Sequence, residues 1–171
     1  MALVKLSPSG IDLSQNFAFT GTVTGTSKLV NHWYNVQDLT GDISITNTSF
    51  ADVAGVNTIT ITPTSTSNKL VLRWWAASMG FVDDESLEIR IADTVSGNVH
   101  TGDFGMRVHN RSDGSNEHWD GQQECKAIIA VPRTTSTTYK IQGKVNSGTG
   151  YVNWGGSQSE FIWDIMEVTT S

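Results

Sequence analysis

The sequence predicts an all-β protein, an antiparallel sandwich or jelly roll, on three observations. Small polar residues dominate, since 18 Ser, 21 Thr, 11 Asn and 16 Gly occupy 66 of 171 positions. Charged residues make up only 16%, against an ordinary share of about a quarter. That bias suits strands and turns better than helices, which are built on Ala, Leu, Glu and Lys. Apolar side chains then recur at every second position in run after run, with turn-forming clusters between the runs. No repeat with a period of roughly 20–50 residues is present, which excludes a solenoid or propeller.

Each element follows from the same alternation. In 29–39 the pairs Leu29/Trp33 and Val30/Tyr34 are compatible with a short helix, but the aromatic and β-branched content favours a strand. Ile43 and Ile45 alternate with Asp42, Ser44 and Thr46, and Ile59 and Ile61 with Thr58, Thr60 and Thr62, before Pro63 ends the run. Leu70, Leu72, Trp74 and Ala76 share one face, with Val71, Arg73, Trp75 and Ala77 on the other. Leu87, Ile89 and Ile91 are expected to point inward, and Glu88 and Arg90 outward. Tyr139, Ile141, Gly143 and Val145 form a further inward set. The clusters 64–68, 96–98 and 146–148 supply turns.

Two segments break the rule that one face of an antiparallel strand meets water. Residues 127–131 are apolar on both sides. In the closing run Phe161, Trp163 and Ile165 face one way, and Ile162, Met166 and Val168 the other. Without helices to cover the second face, a subunit interface is the economical expectation. The alternative is a pair of central strands beneath a long loop. Residues 1–27 differ in texture, being punctuated by Pro8, Gly10, Gly21 and Gly25, with Phe17, Phe19 and Val23 in strand-like alternation. A segment this short cannot bury its own apolar groups. Such a segment is expected to lie on a neighbouring subunit, on a larger assembly or along the main domain, with a flexible tail as the alternative. The chain therefore divides into an N-terminal arm at 1–27 and a β domain at 28–171.

Eleven basic and 17 acidic residues give a net charge of −6, which offers no footprint for nucleic acid or an anionic membrane. One cysteine, Cys125, excludes an internal disulfide and a CxxC zinc site. No signal peptide is visible and no apolar run approaches the roughly 18 residues of a membrane helix. A chain made in a reducing cytosol fits best.

Three stretches resemble a known family. Residues 7–25 (SPSGIDLSQNFAFTGTVTG) resemble the N-terminal segment of tail-fibre-like structural proteins of marine tailed bacteriophages. Residues 45–78 (ITNTSFADVAGVNTITITPTSTSNKLVLRWWAAS) resemble the start of a domain common in them, and 159–168 (SEFIWDIMEV) their closing strand. The resemblance implies a jelly roll similar to those of C1q and tumour-necrosis-factor proteins, assembled as a homotrimer with the closing strand near the threefold axis. Ile162, Met166 and Val168 would then form the trimer interface. Phe17, Phe19 and Val23 would tie the arm to another virion protein, making 1–27 an attachment arm, and the protein would reside in the virion. A short tail fibre, spike or fibre tip is expected, with a capsid- or tail-decorating (cement or head-fibre) protein as the alternative.

Enzyme signatures are absent: there is no GxSxG, HExxH or GxxxxGK[ST], and the Gly148-Thr149-Gly150 run reads as a turn. No enzymatic activity and no cofactor are expected. A glycoside hydrolase would need paired carboxylates about 5–9.5 Å apart, a spacing no sequence displays. The four histidines have no metal-ligand spacing along one element and read as surface or rim residues. Asp83-Asp84-Glu85 reads as a solvated turn rather than a Ca²⁺ loop, and Cys125 as a small buried side chain. The segment 110–123 is read as a long polar loop in which His118, Trp119 and Asp120 suit a host-surface glycan or receptor. Tyr151 and Trp154 form a second candidate rim. These aromatics would serve a monomeric carbohydrate-binding module equally well.

Overall fold

A computed structural model describes residues 28–39, 41–81, 86–109, 117–154 and 159–170, with the backbone alone for Leu39, His109, 117–122 and Ser159. The arm residues Phe17, Phe19 and Val23 and the acidic triplet 83–85 lie outside the described residues. Twelve strands and no helix occur among those described. They form two six-stranded sheets in which every pairing is antiparallel, as the alternation predicts.

The first sheet is organised by the long strand β5 (Lys69–Phe81). On one edge β5 pairs first with β12 (Ser159–Val168) and then with β11 (Gly150–Val152). Its other edge pairs with β9 (Glu117–Ala130) over nearly its whole length. Beyond β12 lies β1 (Leu29–Leu39), and beyond β11 lies β2 (Ile43–Ile45). In the second sheet β10 (Thr137–Val145) pairs with β6 (Ser86–Asp93) on one side, and with β3 (Ala51–Asp52) and β4 (Ile59–Ile61) on the other. The free edge of β6 carries β7 (Gly97–Asn98) and β8 (Met106–His109).

Between the sheets sits one core. Trp74, Trp163, Tyr139, Phe81 and Phe161 are its largest fully buried side chains. Trp74 and Phe161 contact at a 5.2 Å centroid distance with their rings tilted by 53°, and Trp163 Nε1 donates to the Asn57 carbonyl at 3.0 Å. Gly143 stands where a Cβ would meet Ile45 Cδ1 at 2.7 Å and Ile89 Cδ1 at 3.1 Å. The alternating glycine of β10 therefore makes room for large neighbours.

One expectation changes, and two residues are more buried than alternation alone indicates. Residues 117–123, read as loop, belong to β9, because the open edge of β5 supplies a ladder that outweighs local polarity. The irregularity falls between the β5 residues Ala76 and Ser78, which oppose Gln123 and Asp120, so β9 carries one extra residue there. Glu88 does point outward but is nearly buried, at 8% exposure, covered by Arg107 and Lys144. His100 is a half-buried rim residue. Its Nε2 accepts the Ile91 amide at 3.0 Å, completing an edge bond of β6 that no strand supplies.

Candidate assembly face

The outer surface of the first sheet collects what the strands could not bury. Opposed residues of antiparallel strands share a face, so the register defines its rows. Val36, Ile162, Trp75 and Glu124 form one row across β1, β12, β5 and β9. Tyr34, Asp164, Arg73 and Lys126 form the next, and His32, Met166, Val71 and Ile128 the third. Val168 follows beside Leu29 at the bulge of β1. Tyr34 is 58% exposed, Ile128 59% and Leu29 54%, with Val30 and Val36 also exposed. Ile162, Met166, Val168, Val71 and Trp75 are half-buried by their neighbours.

Ile162, Met166 and Val168 thus lie on one outer face, with strands β1 and β5 flanking their own, but the apolar rows of Ile162 and Met166 are separated by a charged one. A polar seam crosses the face there. Arg73 bonds Glu124 and reaches Asp164 at 3.5 Å, Asp164 accepts from His32 at 2.6 Å, and the Arg73 guanidinium stands 4.4 Å from the Trp75 ring centroid. Aromatic and Met side chains around an arginine, with few uncompensated charges, are the composition of an interface centre. Exposed apolar patches of this kind are the usual raw material of contact surfaces. Ile128 also resolves the two-sided run 127–131: Ala127 and Val131 are buried, and Ile128 opens onto this face.

No protein-family model matches the chain, and no curated protein matches it.

The residues expected to touch a glycan gather at the other end of the same sheet. Tyr151 opposes Gly80, and so does His118 from the far side, placing Tyr151, Gly80 and His118 in one row. Trp119 opposes Met79 and Asp120 opposes Ser78. The Tyr151 and Trp154 rings stack at 4.9 Å with 13° between their planes. They are held by Asn153, whose φ of 58° turns the chain while its amide donates to the Ser78 carbonyl and its Nδ2 to the Gly41 carbonyl. Residues far apart in sequence are thereby brought to one end of the sheet.

Sequence reading missed Glu167. It continues the inward phase of Phe161, Trp163 and Ile165 and is fully buried. Asn31, Asn68, the Thr64 amide and hydroxyl, and the Ser65 amide all donate to its carboxylate. Burial alone pushes this carboxyl up, but the hydrogen bonds from Asn68, Asn31 and Thr64 outweigh it and hold the pKa down at about 2. The available signal was an acid in the buried phase of an apolar strand. Cys125 is buried as expected, and burial pushes its thiol up to about 12.

Proposed function

We propose that this chain is a non-enzymatic structural protein of a tailed-bacteriophage virion. It is a homotrimeric jelly roll, similar to C1q and tumour-necrosis-factor domains, that attaches through the arm at 1–27 and presents a knob to the host surface. The observation that carries this reading is the apolar outer face of the first sheet. Ile162, Met166 and Val168 stand there beside Tyr34, Trp75 and Ile128, in a chain whose ends resemble tail-fibre proteins. The closing strand β12 lies inside the sheet, between β1 and β5, which suits a strand near a threefold axis. Three weak surface sites on one rigid body gain avidity through effective concentration.

Light scattering on the purified chain tests the proposal. The expected mass is near 56 kDa, three chains of 18.6 kDa, falling to one chain in Ile162→Asp and Met166→Asp. A monomer in the unaltered chain refutes the trimer. The stacked Tyr151–Trp154 pair then favours the second reading, a monomeric carbohydrate-binding module.

A further inference from the structure

On the opposite side of the core, the outer surface of the second sheet is where this acidic chain gathers positive charge. Lys144, Glu88 and Arg107 form one row across β10, β6 and β8, and Asp52, Gln142 and Arg90 the next across β3, β10 and β6. Lys140 follows on the same face of β10. Four of the 11 basic residues therefore share one surface.

The acids of this surface are largely engaged. Glu88 is divided between Arg107 at 3.3 Å and Lys144 at 3.0 Å. Asp52 is held by Lys140 at 2.6 Å and by Gln142 at 2.8 Å, and the Lys140 hydrogen bond keeps its carboxyl below the ordinary range. Arg90 is treated differently. Its Nε donates to the neutral Gln142 Oε1 at 2.9 Å, and its guanidinium carbon stands 4.1 Å from the Phe50 ring centroid. Lys144 Nζ lies 4.9 Å from the same ring. Phe50 thus holds the two cations together, Lys144 sharing its charge with Glu88 while Arg90 Nε is bonded to a neutral amide. Thr48, Ser49, Phe50, Arg90, Asp103 and Lys144 line an open depression of about 360 Å³ at this point.

We infer that this depression binds a carboxylated sugar ring, with the carboxylate on Arg90 and Lys144 and the ring hydroxyls on Asp103, Ser49 and Thr48. A guanidinium whose Nε is already fixed is oriented for carboxylate recognition through its remaining donors. The volume is at the low end for small-ligand sites, the scale of a single ring rather than a long chain. Asp103 selects the class: a rim carboxylate repels a bare anion but accepts hydrogen bonds from hydroxyls. The site is independent of the assembly face, because it lies on the other sheet.

The experiment is an amide NMR titration of the ¹⁵N-labelled chain with methyl galacturonoside, methyl glucuronoside, methyl galactoside and sodium acetate. At least one uronoside is expected to shift the Phe50, Arg90 and Lys144 amides saturably, while the galactoside and acetate bind about tenfold more weakly. Arg90→Gln weakens the uronoside about tenfold with the remaining spectrum unchanged. Asp103→Asn, on an exposed position that leaves the fold intact, weakens the uronoside and strengthens acetate. The inference is overturned if neither uronoside gives a saturable shift, or if acetate binds as tightly as the uronoside. It is likewise overturned if Asp103→Asn strengthens both ligands.

Discussion

Glu167 concentrates much of this molecule's polar chemistry at one buried point. Its carboxylate ties β12 to Asn31 of β1 and to the Thr64–Asn68 turn, joining three segments far apart in the chain. Holding an acid at a pKa of about 2, against 4.5 for the free group, corresponds to about 3 kcal/mol of folding stability. Because the folded pKa is the lower one, this stability is complete above about pH 4.5 and is lost as the pH falls toward 2. Glu167→Gln should cost about 3 kcal/mol at neutral pH in urea denaturation and flatten the acid limb of the stability profile. An unchanged acid limb would remove Glu167 from this role. His100 behaves in the same direction: burial, aided by the Arg90 charge, lowers its pKa, so the neutral ring accepts the Ile91 amide and acidification works against the fold. Cys125, with its thiol raised to about 12, should resist a disulfide reagent at pH 8 in the folded chain and react fully in denaturant.

At the scale of the element, β12 buries one face in the core and turns the other, with Ile162, Met166 and Val168, to the outer surface of the sheet, where the proposed assembly would use it. Trp163 and Phe161 are fully buried, and Trp163→Ala should cost about 3–5 kcal/mol through the cavity it leaves. Ile162→Asp, one residue away on the outer face, should change the monomer's unfolding midpoint little while lowering the solution mass. Comparing the two variants by denaturation and light scattering separates a core defect from an interface defect. In β10, Gly143→Ala forces a methyl to within 2.7 Å of Ile45 Cδ1 and should cost about 1–3 kcal/mol. Strand β9 shows where local pattern loses. Its segment 117–123 reads as polar loop, yet β5 extends far enough to pair with it, and the bulge opposite Ala76 and Ser78 accommodates the extra residue.

For the whole molecule, the two sheets present two unlike surfaces. The first sheet exposes Tyr34, Val36 and Ile128 around the Arg73 seam, and the second exposes a lattice of basic residues bridged by Glu88 and Asp52. Burial of the first surface should make thermal stability rise with protein concentration, as mass action requires of a dissociating oligomer. A melting temperature independent of concentration, measured by calorimetry across a hundredfold range, would argue for a monomer. Salt should loosen uronoside binding at Arg90 but not disperse an assembly built on apolar contact.

The strands themselves were legible in the sequence, because a period of two sorts each residue to one face whatever its partner. The inward sets Leu70–Ala76, Leu87–Ile91, Tyr139–Val145 and Phe161–Ile165 are all buried. So was the doubled apolar character of 161–168, which placed Ile162, Met166 and Val168 on the second face of their strand. Tertiary structure alone decided which strands became neighbours. Pairing unites residues more than a hundred positions apart, as in Val36 with Ile162, and alternation holds no record of a partner's identity. The row joining Tyr151 to His118 across Gly80, the Phe50 platform beneath Arg90 and Lys144, and the conversion of 117–123 into strand all follow from that pairing.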